Sequence, residues 1–340
     1  MNSNTNTADN LNSRDRTIDV CKCIAIILVI LGHSLQYSGA RDDSAVCKAV
    51  YMLIYSFHMP LFALISGYLL SKSLTRRSPL KVAAGRSIRL IVPMFIYSLI
   101  PFFTEGVYTG GESLLLNIRH LCGFTAIGNG LIWFLQAVLY STLIICLAMA
   151  VDKRGILLGV LMVTSLIFTP DYMVAFIFVF MGLGVICDRY RLSVRLKTGS
   201  LPGWGYVVLL ILYAVMLIFY KDSYLIYTGT WQLWGESDWL RVLAIDIYRF
   251  LIGLLGSYLM VSGVKKLGIE FGSFARLVSA NTLAIYAVSN LVIVYFTRYS
   301  EPKGLTGALL LFALSALFSL LYVWLVGFIR LLRMPLLGHK

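Results

Sequence analysis

Asp19-Val20-Cys21-Lys22-Cys23-Ile24-Ala25-Ile26-Ile27-Leu28-Val29-Ile30-Leu31-Gly32-His33-Ser34 decides the fold class. From Ile24 to Leu31 every side chain is apolar. The same density returns over 49–71, 155–170 and 305–329. Runs near ~20 apolar residues match the thickness of a bilayer core. No water is available there, so each span must close its own backbone hydrogen bonds as a helix. Composition agrees: 59% of the 340 residues are hydrophobic and 13% are charged, against about 25% charged in soluble domains. The chain is expected to be an all-α polytopic membrane bundle, and a soluble domain is excluded.

The net charge of +13 does not point to nucleic acid, because the basic residues lie between apolar segments rather than on one soluble face. Residues 1–15 are polar and rich in Asn and Thr, without the pattern of a cleavable signal. They are read as a disordered cytoplasmic tail, 16–333 as a single membrane domain, and 334–340 as a short cytoplasmic tail. The six cysteines show no metal-finger spacing and are read as small apolar residues of the spans, so no metal is expected. A disulfide between Cys47 and Cys122, both on the outer side, stays open.

Ten spans are predicted, at about 20–40, 48–70, 87–106, 130–150, 155–169, 172–188, 205–221, 242–263, 278–297 and 307–330. The fifth and sixth are short and divided near Pro170 and Asp171, which permits a tight hairpin. With the N-terminus inside, about 21 of the 29 Lys and Arg fall on the inner side. That bias favours both termini in the cytoplasm. The outer loop 222–240 contains Tyr224, Tyr227, Trp231, Trp234 and Trp239. Its rings suit an interfacial belt, and a sugar site is the alternative.

Polar groups inside spans are functional candidates. Lys22 and His33 are eleven residues apart, within ~20° of three helical turns, so they share a face ~16 Å apart along the axis. Asp19 falls near the same face. Snorkelling could account for Lys22 and an interhelical hydrogen bond for His33. The second span reads Tyr55-Ser56-Phe57-His58-Met59-Pro60-Leu61-Phe62-Ala63-Leu64-Ile65-Ser66-Gly67-Tyr68. His58 should lie at a depth close to that of His33. Pro60 can kink its helix, and Gly32 and Gly67 allow close helix approach. Imidazole suits this depth, because its neutral form can take a proton from a hydroxyl. The other histidines, His120 in an outer loop and His339 in the tail, are less informative.

These residues resemble a known family. Arg16 through Ser34, above all Ile18-Asp19, Ile24-Ala25 and Leu31-Gly32-His33, is similar to the opening of the acyltransferase 3 family of integral membrane proteins. Phe57-His58-Met59-Pro60-Leu61-Phe62 with Ile65-Ser66-Gly67-Tyr68 resembles its second signature. Arg86, Arg89 and Pro93 resemble the basic start of its third span, Trp133-Phe134-Leu135 its fourth, and Asn281-Thr282-Leu283-Ala284-Ile285-Tyr286 its late motif. The family commonly has Arg at the position of Lys22. Lys there resembles the fucose 4-O-acetylase-like branch. The late motif often ends in His, whereas Ser289 and Asn290 occupy that region here.

The resemblance implies O-acyl transfer, with acetyl-CoA as donor and a hydroxyl of a cell-surface glycan, exopolysaccharide precursor or lipid-linked sugar as acceptor. It implies that Lys22, Arg86 and Arg89 form a cytoplasmic mouth for the donor phosphates. His33 would act as general base or transient acyl acceptor, and His58 would orient it or protonate the leaving thiol. Trp133, Asn281 and Tyr286 would line the site. The expected setting is the cytoplasmic membrane of a bacterium, beside polysaccharide-biosynthesis machinery. With little chain after the last span, the domain is expected to act as a standalone unit. A secondary transporter would also bury Lys and His, although no pair of broken helices in two similar halves is visible. Haem ligation by His33 and His58 is a third reading, which the resemblance disfavours. Asp246 and Arg249, one turn apart, are read as a structural ion pair.

Overall fold

The computed structural model describes residues 15–101, 133–168, 172–191, 201–226 and 238–338. Among the described residues every regular element is helical. Helix α1 is Arg16–Tyr37, and the Asp15 carboxylate caps it by accepting the N–H of Thr17 at 3.0 Å and of Ile18 at 3.4 Å. The chain leaves α1 through Gly39 at φ 73°, a left-handed conformation open to glycine. Then come the short α2 (Ala40–Asp43), α3 (Ala45–Leu74) and α4 (Pro79–Pro101). Pro79 opens α4, where a missing N–H costs nothing. They are followed by α5 (Trp133–Val151), α6 (Ile156–Phe168), α7 (Tyr172–Arg189) and α8 (Gly203–Ile218). A 3-10 turn at Asp222–Tyr224 precedes α9 (Trp239–Leu267). The last elements are α10 (Gly272–Ala280), α11 (Thr282–Ser300), α12 (Gly304–Phe328), α13 (Arg330–Leu332) and a π turn at Arg333–Leu337.

Each predicted segment meets a helix. Six of these, α1, α3, α4, α5, α9 and α12, are long and apolar enough to cross a bilayer, and a bent pair makes a seventh candidate. Helices α6 and α8 are apolar but shorter. The chain is a multi-pass helical membrane protein. The divide near Pro170 and Asp171, Cys122, His120, His339, Tyr227, Trp231 and Trp234 lie outside the described residues.

Two expectations need correction. The segment predicted at 278–297 is not one helix: α10 and α11 meet at 76° around Asn281. The Asn281 amide donates to the Leu277 carbonyl at 2.8 Å. Such a local side-chain bond competes with continuation of the backbone ladder. The third span begins earlier than predicted, so Arg86 and Arg89 lie well inside α4 rather than at its start.

Helix α3 is the hub, packed against α1, α7 and α9. Glycines set the spacing. A Cβ on Gly67 would lie 1.9 Å from the Met181 carbonyl oxygen, and one on Gly184 would lie 2.2 Å from that of Leu64. The backbones of α3 and α7 therefore touch, and the small-residue contact replaces the hydrophobic drive that lipid removes. Gly32 does the same for α1, where a Cβ would approach the Tyr55 ring to 2.9 Å. Large apolar side chains such as Val207, Ile211, Trp324 and Leu325 are exposed on the outside of the bundle, as a lipid-facing surface requires.

Polar contacts sort the helix ends into two groups. At one end Arg16 pairs with Glu270, Lys72 pairs with Asp188 at 2.9 Å, and Tyr190 donates to the Arg154 carbonyl. At the other, Lys48 pairs with Asp222 at 2.7 Å and the Gly304 N–H donates to the Ser38 carbonyl at 3.0 Å. Alternating chain direction through the bundle produces this grouping.

Candidate functional site at the seam of α1 and α3

The seam is built from residues one helical turn apart. On α3, Tyr51, Tyr55 and His58 follow the i, i+4, i+7 spacing of one face. On α1, His33, Gln36 and Tyr37 share another. Tyr55 joins the two helices. Its ring packs edge-on to His58 with centroids 4.9 Å apart and edge-on to His33 at 6.3 Å. Its hydroxyl donates to Gln36 Oε1 at 2.8 Å and lies 3.4 Å from His33 Nδ1. The His33 ring also tilts against Tyr37 at 6.3 Å. The two histidines singled out in the sequence are therefore brought to one place, as faces of a single tyrosine.

His58 is buried, with 3% exposure. Its Nδ1 lies 2.6 Å from the Ile54 carbonyl oxygen, one turn back on its own helix. A carbonyl only accepts, so Nδ1 donates and neutral His58 keeps its lone pair on Nε2. His33 is half-buried.

An aromatic wall continues from this seam. Phe134 of α5 sits 6.0 Å from Phe62 of α3 and 6.0 Å from Tyr286 of α11. Trp133 packs edge-on against Phe134, also at 6.0 Å. The buried Tyr286 hydroxyl lies beside the Asn290 side chain and the Phe134 backbone. Trp133 and Tyr286 thus share one wall through Phe134. Asn281 sits at the break between α10 and α11, where its amide donates to the Leu277 carbonyl.

The predicted basic residues engage separate partners. Lys22 donates to the Ser279 carbonyl at 2.5 Å, and the Ser279 hydroxyl donates to Asp19 Oδ1 at 2.6 Å. This places a cation against the carbonyl end of α10, where the helix dipole favours it. Arg86 reaches α3 through Ser73 Oγ at 3.3 Å and the Ser66 carbonyl at 3.5 Å. Arg89 is exposed, and its carbonyl faces Gly338 in the C-terminal turn.

Two further features lie toward the other end of the bundle. Asp246 and Arg249 form the expected pair at 3.1 Å, with side chains 4% and 3% exposed. A groove of about 910 Å³ opens between α3 and α8 and is walled by Ala49, Met52, Leu53 and Leu217, with Lys48 and Asp222 at its rim.

Sequence reading missed Tyr55 and Gln36. The available signal was spacing: each stands three residues from a histidine already marked, on the same helical face. It also missed Phe134 as the link between Trp133 and Tyr286.

The chain is similar to known proteins. Over 141 residues the chain is 38% identical to nodulation protein NolL of Sinorhizobium fredii. Over 136 residues it is 36% identical to nodulation protein NolL of Mesorhizobium japonicum. Each alignment covers 39% of this chain and 36% of the relative. No solved structure matches. A family model described as an acyltransferase domain matches residues 15–328, from the cap of α1 to the end of α12, so the chain belongs to the acyltransferase 3 family.

Proposed function

We propose that the protein is a membrane O-acyltransferase that moves acetyl from cytoplasmic acetyl-CoA to a hydroxyl of a glycan or lipid-linked sugar. The observation that carries this reading is the pair of histidines gathered around Tyr55 at the α1–α3 seam of a chain in this family. In direct transfer His33 Nε2 takes the proton of the acceptor hydroxyl as its oxygen bonds to the thioester carbonyl carbon. The C–S bond then breaks, and the thiolate leaves with the proton taken from the acceptor, passed on from His33 through the lone pair of His58 Nε2 or through water. In the two-step route His33 Nε2 bonds to the carbonyl carbon as the C–S bond breaks and the thiolate leaves, and the acceptor oxygen then displaces His33 while its proton passes to His58 Nε2 or water. Trp133 and Tyr286 line the far wall. Lys22, Arg86 and Arg89 lie toward the end that receives the donor phosphates.

Ten spans with both termini cytoplasmic fit the bias of Lys and Arg and the grouping of helix ends by their ion pairs. The groove between α3 and α8 gives a sugar carried on a lipid an approach from the membrane. The setting that follows is the cytoplasmic membrane of a bacterium, beside the machinery that assembles surface polysaccharide.

The broken α10–α11 segment favours a second reading as a secondary transporter, because discontinuous helices recur at transporter substrate sites. One experiment separates the two. Purified protein in detergent is given radiolabelled acetyl-CoA, and donor binding and thioester loss are measured. The acyltransferase reading expects both, with a raised donor KM in Arg86→Gln. Folded protein that neither binds nor consumes acetyl-CoA would remove this donor and favour transport.

A further inference from the structure

We propose that Tyr55 and Gln36 act as a positioning pair that holds neutral His33 in the Nδ1–H tautomer and aims Nε2 at the reacting groups. The proposal deepens the reading of His33 as the base or acyl acceptor and rests on it.

A tyrosine hydroxyl has a single hydrogen to donate. Tyr55 places it on Gln36 Oε1, which can only accept, at 2.8 Å. What the same oxygen offers His33 Nδ1, 3.4 Å away, is a lone pair. Nδ1 must then be the donor, and a neutral imidazole with a proton on Nδ1 has its lone pair on Nε2. Gln36 lies one turn along α1 from His33, so the acceptor that fixes the Tyr55 hydroxyl sits on the same helix as the imidazole. Rotation of the imidazole is restricted by Tyr55 on one side and Tyr37 on the other. The anchor is closely packed, because Tyr55 is 9% exposed and its ring lies tilted against Tyr51 with centroids 4.1 Å apart. His58 reaches the same tautomer by another route, through its bond to the Ile54 carbonyl. Both rings therefore present the same nitrogen as base, although they sit on different helices.

The two residues have different expected failures. Tyr55→Phe removes the lone pair from Nδ1 and lets His33 sample both tautomers. Gln36→Leu removes the acceptor, so the Tyr55 hydroxyl turns its hydrogen to Nδ1 and the proton of His33 moves to Nε2. Gln36→Glu keeps an acceptor at this position and should keep the native tautomer.

The test uses the full chain labelled with ¹⁵N-histidine, in detergent, with His33→Gln identifying the His33 signals. Wild type is expected to show a protonated Nδ1 and an unprotonated Nε2. Tyr55→Phe should give a mixture, Gln36→Leu the reversed tautomer, and Gln36→Glu the wild-type pattern. In parallel, kcat should fall about 10- to 100-fold in Tyr55→Phe and Gln36→Leu, a part of what a positioned base contributes, with donor KM unchanged. A wild-type His33 protonated on Nε2, or a tautomer that neither variant alters, would overturn the proposal. If the tautomers behave as expected but no protein consumes the donor, the positioning pair stands and the acyl-transfer reading falls.

Discussion

Two polar clusters inside this bundle, an Arg–Asp pair and a pair of histidines, differ in what their side chains leave uncommitted. On α9, Arg249 donates to Asp246 at 3.1 Å and to the carbonyls of Tyr224, Ser223 and Leu225 at 2.6, 2.9 and 3.3 Å. Its guanidinium is consumed in holding the turn after α8 against α9. At the α1–α3 seam, His33 and His58 each commit Nδ1, to Tyr55 and to the Ile54 carbonyl. Neither of these contacts uses Nε2. A buried guanidinium whose donors are spent on a carboxylate and three backbone carbonyls serves the fold. A buried group held on one side and open on the other is ready for chemistry.

The contrast should survive substitution. His58→Asn keeps an amide donor near the position of Nδ1 and removes Nε2. It is expected to cut transfer about 100-fold or more while thermal unfolding stays at the wild-type midpoint. A comparable loss of stability in this variant would erase the distinction between the clusters. Arg249→Met should do the reverse. It leaves Asp246 buried and unpaired, which costs about 3–5 kcal/mol of stability, whereas Asp246→Leu with Arg249→Met should recover much of it. Denaturation midpoints in matched detergent check this.

Gly32→Ala falls between the two cases. Its methyl group would press on the Tyr55 ring, so it should cost about 1–3 kcal/mol and also reduce kcat, because Tyr55 holds both histidines. The smallest effect belongs to Asp152, far from either cluster. Its carboxylate accepts the N–H of Leu157 at 2.9 Å and of Arg154 at 2.8 Å, which holds its pKa below the usual carboxylate range. A lowered carboxylate pKa stabilises the fold above the ordinary value and is lost as pH falls through the folded one. Asp152→Ala should therefore lower the unfolding midpoint slightly near neutral pH, with the difference from wild type vanishing in strong acid.

What could be read from the sequence followed the range of each interaction. Apolar length and charge bias are local and additive, so the helices were legible, and the Lys22 and His33 spacing put polar groups on one strip of α1. The break at Asn281 was not legible, because it depends on a side chain turning back to Leu277 and on Lys22 and Asp19 meeting Ser279 from another helix. His33 and His58 stood out because histidine is costly and scarce in a span. Tyr55 did not, because tyrosine is ordinary there, and only the meeting of α1 with α3 shows that its hydroxyl lies between Gln36 and His33. The separate partners of Lys22 and Arg86 were hidden for the same reason.

The most direct test is a single turnover of radiolabelled acetyl-CoA with excess purified protein, comparing wild type, His33→Ala and Arg249→Met at matched folded concentration. Thioester loss is expected in wild type, with its disappearance in His33→Ala and near-wild-type turnover per folded molecule in Arg249→Met. Full turnover in His33→Ala would contradict this expectation and move the chemistry away from the α1–α3 seam.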